Sequence, residues 1–182
     1  MKRAASLILI LMSGIAYADT GQSDIESVPA PESETQKSVA GFGGLVIVTP
    51  DQDWEKKWKT PGVPPHFLRA SSVKRGGELF ILTMFTNPKV DEHRVADVTV
   101  DIDVRRPDGS SATHSEGAKC YKGKLLGPPD HVFLCAPVVN FIGEKSDPAG
   151  TWSVRITITD KIREVSVPLA TSFVLLDEKV SP

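Results

Sequence analysis

The sequence predicts an all-β fold: a single antiparallel sandwich of about seven or eight strands, with one short helix near residues 50–59. Three observations carry this expectation. Val98, Val100, Ile102 and Val104 alternate with Thr99, Asp101, Asp103 and Arg105, and Trp152, Val154, Ile156 and Ile158 alternate with Ser153, Arg155, Thr157 and Thr159. A strict period of two gives a strand one apolar and one wet face. Candidate strands recur at roughly ten-residue spacing with turn residues between them, the pattern of antiparallel sandwiches. Helical signals are confined to one short segment.

Residues 45–49 form a β-rich run that Pro50 ends. The next segment, Thr49 to Lys59, carries a capping hydroxyl, a proline suited to the first helical position, acids in its first turn and lysines at its end. Thr60-Pro61-Gly62 stops it. Residues 78–85 are apolar at nearly every position, as in a strand buried on both faces. The strand through Val104 stops at Arg106-Pro107-Asp108-Gly109, where proline presets the turn and glycine tolerates positive φ. Residues 118–121 and 132–136 read as two shorter strands around Gly127-Pro128-Pro129-Asp130, and a hairpin of these would bring Cys120 and Cys135 together. Residues 163–176 make a last strand or pair, in which Pro168 marks an edge, a bulge or a crossover.

One corner carries a signature. Asp147-Pro148-Ala149-Gly150-Thr151-Trp152, followed by the alternating strand, resembles the entry to the second-last strand of immunoglobulin-like domains, as found in exported bacterial sandwich modules. The resemblance covers about 14 residues and implies an immunoglobulin-like sandwich. Trp152 stands where such domains usually carry tyrosine, so the tyrosine's backbone hydrogen bond is lost or replaced. The cysteine spacing looks like a hairpin staple rather than the inter-sheet bridge of antibody domains. The resemblance implies a fold and no function, because this architecture hosts many unrelated roles.

The chain divides into three parts. Residues 1–18 read as a secretory signal peptide: Lys2 and Arg3, an apolar run over residues 7–12, and a small-residue cleavage site ending at Ala18. The run is too short to span a bilayer as a helix, so no stable membrane insertion is expected after cleavage. The expected location is the periplasm, or full secretion. Residues 19–40 hold Asp19, Asp24, Glu26, Glu32 and Glu34 against Lys37, with no aromatic, and read as a disordered acidic linker. The domain itself is expected over 41–182, with acids and bases in balance. Bulk-charge binding to nucleic acid needs a basic excess, so that partner class is excluded. Cys120 and Cys135 are the only cysteines. In an oxidising compartment their default is a disulfide, and neither a C-x-x-C nor an H-x-x-x-H spacing supports a metal or cofactor.

Catalysis has little to stand on. His66, His93, His114 and His131 lie far apart, no serine has nucleophile-elbow glycines, and no phosphate-cradling loop occurs. Asp97, Asp101 and Asp103 line the wet side of one strand, where pairing with cross-strand lysines or arginines outweighs a calcium ladder. His114 and Glu116 could be two ligands on one strand face, or a solvated pair. Trp54 and Trp58 are four apart and share a helix face. Either they close the core by packing on an open end of the sandwich, or with His66 and Phe67 they offer an aromatic platform. The expected function is that of a non-enzymatic binding or protein-interaction module of the cell envelope. The alternative is a small-ligand binding protein, for a sugar or a metal.

Overall fold

The computed structural model describes residues 7–11, 33–125 and 127–177. In chain order the strands are β1 (Leu7–Leu11), β2 (Gln36–Val39), β3 (Phe42–Thr49), β4 (Ser72–Lys74), β5 (Glu78–Thr86), β6 (Val95–Arg105), β7 (Ser111–Lys124), β8 (Val132–Leu134), β9 (Pro137–Ile142), β10 (Gly150–Asp160) and β11 (Val165–Leu176), with α1 (Trp54–Lys59) after β3. They form two sheets. Sheet A runs β1-β9-β5-β3-β2 with β8 also paired to β5; sheet B runs β4-β11-β10-β6-β7. All pairings are antiparallel except β4 with β11. The protein is therefore all-β and two-sheeted. Sheet B curls, and three register shifts along β6–β7 account for the bending.

The period-two reading of β6 and β10 holds residue by residue. Val98, Val100, Ile102 and Val104 are buried together with Val154, Ile156 and Ile158 in one core between the sheets. Sheet A supplies the other wall, from Val46, Val48, Leu79, Ile81 and Phe85. β5 is buried on both faces, as its composition requires: Phe80, Leu82 and Met84 point away from the main core into a second, outer one. Asp97 pairs across the strands with Lys122 at 2.6 Å, Asp101 accepts the Gly117 N–H from the neighbouring strand, and Asp103 pairs with Arg105 of its own strand at 2.7 Å while its Oδ1 is buried without a hydrogen-bond partner.

Several elements differ from expectation. Residues 33–40, inside the stretch read as a disordered linker, are structured. β2 pairs with β3, and the Glu34 and Thr35 carbonyls accept N–H groups from Ala170 and Val46. Of that stretch, residues 19–32 lie outside the described residues. Residues 1–6 and 12–18 of the proposed signal do too, while its Leu7–Leu11 is β1. β9 was not anticipated, because Pro137 separates it from β8 and reads as a terminator. β7 and β8 are no hairpin: β7 is the edge of sheet B and β8 belongs to sheet A. The Cys120–Cys135 disulfide accordingly joins the two sheets. A separation of 15 residues is equally compatible with a crossing between sheets, so spacing alone misled here.

Two local rules explain themselves in the structure. Ala170 sends its N–H away from β10, to Glu34. By the period of two, Pro168 faces that same outer edge, where no ladder donor is required. At the entry to β10, the buried Asp147 carboxylate accepts the Glu144 N–H at 2.9 Å, while Arg75 donates to the carbonyls of Glu144, Lys145 and Asp147. The tyrosine bond missing from this corner has a substitute. Trp152 Nε1–H donates to the Pro148 carbonyl at 3.1 Å, four residues upstream.

Candidate functional site

The site that the sequence singles out is built on the outer face of sheet A. β3 ends at Thr49, whose Oγ1 accepts the Asp51 N–H at 3.2 Å and turns the chain. The helix starts only at Trp54, with Asp53 as its N-cap, and not at Pro50. The Thr49 hydroxyl is spent on the turn, and Pro50 lies outside the helix. Asp51 is the hub of the segment. Its side chain is 6% exposed, and Oδ2 accepts both Lys57 Nζ at 2.8 Å and the Leu68 N–H at 3.0 Å. One carboxylate thus fastens the helix to the far end of the loop that follows it.

Burial alone would raise the Asp51 pKa, but the Lys57 ammonium and the Leu68 and Thr49 hydrogen bonds outweigh it and hold the carboxyl below its ordinary value. Lys57 is raised in turn, first by its bond to Asp51. A carboxyl depressed on folding stabilises above its unfolded pKa, and that contribution disappears as pH falls through the folded one. Asp51→Asn should therefore be less stable than the wild type at pH 7, and the gap should close below the usual carboxylate range of about 4. Chemical denaturation at pH 7 and pH 3 checks this; a gap that widens in acid refutes the role given to Asp51.

The aromatic residues divide. Trp54 and Phe67 are buried in the outer core with Ile47, Phe80, Leu82 and Met84, and the Trp54 and Phe80 rings sit 6.0 Å apart. Trp58 is partly buried against the same cluster, and His66 is exposed. The tryptophans thus cover a sheet face and not an open end of the sandwich. The reason is that β5 and β3 present a complete apolar row outward, which must be covered. What the segment does leave in solvent is the loop over residues 61–68, where Val63 and Leu68 are each 57% exposed beside His66.

Sequence reasoning missed the role of Asp51, although an acid directly after a strand-ending Thr-Pro is a turn signal. Elsewhere, His114 Nε2 lies 3.0 Å from Glu116 Oε1 and its Nδ1 lies 3.8 Å from Asp103 Oδ1, all on the wet face of sheet B. Among the described residues no three His, Cys, Asp or Glu side chains are placed to share a metal ion. Among them, also, no helix is long and apolar enough to cross a membrane.

The sequence matches no protein-family profile and no curated protein. Among solved structures, similarity is found to a family 123 glycoside hydrolase from Clostridium perfringens, with TM-score 0.41 and 13% identity over 74% of this chain. The chain spans 27% of that enzyme's length. A FixG-related protein from Vibrio parahaemolyticus is similar with TM-score 0.37 and 15% identity, over 75% of this chain and 98% of that one.

Proposed function

We propose that this is an exported, non-enzymatic interaction module of the cell envelope, which contacts a partner protein through the loop over residues 61–68. The observation that carries the reading is the fastening of that loop by Asp51. The exposed aliphatic Leu68 is held at the end of the loop by a buried carboxylate that accepts its N–H, and Val63 lies exposed earlier in the same loop. Binding residues are commonly carried on loops that a scaffold positions. The export reading is supported by the leader-like start and the disulfide, and we place the protein in the periplasm or outside the cell. The acid–glycine–tryptophan corner supports assigning the two sheets to the immunoglobulin-like group. A saccharide stacked on an aromatic platform is the competing reading, and it would have to rely on Trp58, since Trp54 and Phe67 are committed to the outer core.

A photo-reactive amino acid placed at Leu68 should give one discrete cross-linked species in the native host. The same group at Lys119, exposed on sheet B, should give none. If Leu68 yields no adduct, or the same pattern as Lys119, the loop is not a contact surface.

A further inference from the structure

The edge of β9 is held by a strand whose sequence is that of a signal peptide. Leu7–Leu11 pairs antiparallel along it, with Ile8 opposite Asn140 and Ile10 opposite Val138. The backbone directions follow from the ladder on the other side. Gly143 N–H donates to the Gly77 carbonyl, and in an antiparallel pair alternate residues face the same neighbour. Phe141 and Val139 therefore bond to β5. Val138, Asn140 and Ile142 send their N–H and C=O groups to the side where β1 lies.

Exposed strand edges invite pairing, and proteins blunt them with lysines, prolines, bulges or short length. The other edges among the described residues follow that rule. β7 carries Lys119, Lys122 and Lys124 and three register shifts, β2 has only four residues and β4 three, and the part of β11 that β4 does not cover turns Pro168 outward. β9 has none of these devices. It bears no charge, no bulge lies in its pairing with β1, and its one proline, Pro137, belongs by parity to the β5-facing set. Asn140 adds a chemical feature. Its Nδ2 donates to Glu78 at 2.7 Å, but its Oδ1 is buried with no hydrogen-bond partner. The residue opposite is Ile8, and an isoleucine side chain has no donor to give.

We propose that the β9 edge is a strand-acceptor site. It takes an extended apolar segment of another exported protein in the place of Leu7–Leu11, and prefers a segment with a hydroxyl or amide donor opposite Asn140. Main-chain bonds supply the affinity of such strand addition, and the side chain at that position supplies the choice of partner. The inference rests on the reading that residues 1–18 are removed on export.

The test uses the protein recovered from the periplasm, with its intact mass measured first. The probe is a labelled peptide of residues 5–13 flanked by lysines for solubility. Anisotropy should show saturable binding, and saturating peptide should raise the melting temperature by about 5 °C or more. N-methylation at Ile8 and Ile10 removes the edge-facing donors and should weaken binding at least about 30-fold, at roughly one net hydrogen bond each. The same change at Leu7 and Leu9 should alter it by less than about threefold. Replacing Ile8 by Thr in the peptide should tighten binding about fivefold, the worth of one such bond. Asn140→Pro should abolish binding, whereas Asn140→Ala should keep it and lose the gain from threonine. An uncut chain overturns the reading of residues 1–18, and with it the vacated edge. A chain starting at Asp19 that ignores the peptide, or binds both N-methylated forms alike, overturns the acceptor site alone. A cut chain that is dimeric, and becomes monomeric as Asn140→Pro, shows a second copy to be the occupant and refutes a foreign donor.

Discussion

Trp152→Ala should lower the unfolding free energy by about 4 kcal/mol, the range for truncating a buried aromatic, and the melting temperature by on the order of 10 °C. Trp152 is fully buried and sits between the sheets' aromatic residues, 4.8 Å from Phe141 edge-on and stacked 6.3 Å from Phe173. Arg106 lies over its ring at 5.9 Å. Removing the indole thus empties the middle of the core and removes the donor to Pro148. Trp152→Phe separates the two effects, since it keeps most of the ring contacts and leaves only the Pro148 carbonyl short of a partner. Its expected loss is about 1–2 kcal/mol. Urea denaturation of both variants gives the comparison. Equal losses would mean that the corner bond, and not packing, holds β10 in place.

The Cys120→Ala/Cys135→Ala double variant should lose about 3 kcal/mol by the chain-entropy estimate for a loop of this size, roughly 6–12 °C in melting temperature. Alanine avoids leaving a hydroxyl where both cysteines are 1% exposed. Reduction of the wild type should reproduce the shift. The fold should persist at low temperature, because Phe85, Tyr121 and Phe133 pack against one another beside the bridge, with centroids 5.4–5.9 Å apart. If reduced and oxidised protein melt within about 2 °C of each other, the bridge contributes little to stability and its value lies elsewhere.

Much of this architecture is legible in the chain. β6 and β10 declare themselves because each has one wet face, so burial is written as alternation. β5 shows as a continuous apolar run because the outer core covers its second face. The disulfide follows from two cysteines and the expectation of an oxidising destination. Strand partners are less legible, since pairing is a long-range property. Nothing in residues 118–136 distinguishes a hairpin from two strands that cross to different sheets. β9 is hidden for a local reason, Pro137 at its first position. The candidate site was legible as a cluster of aromatic residues but not in its orientation. Trp54 and Trp58 at helical spacing fix a common face, and only the outward row of β3 and β5 decides what that face meets. The β9 edge, like Asp51, depends on hydrogen-bond partners far away in sequence.

The two long sides of the molecule are closed by different means. On one, the Cys120–Cys135 bridge locks β7 to the end of β8; on the other, backbone bonds from Ala170 to Glu34 and from Val174 to Ser71 tie β11 to its neighbours. A covalent seam does not open under thermal motion, whereas isolated hydrogen bonds at an edge do. The sheets are therefore expected to part first at the β3–β11 side. A pull on Ser33 reaches that side directly, because Glu34 accepts the Ala170 N–H and Thr35 the Val46 N–H.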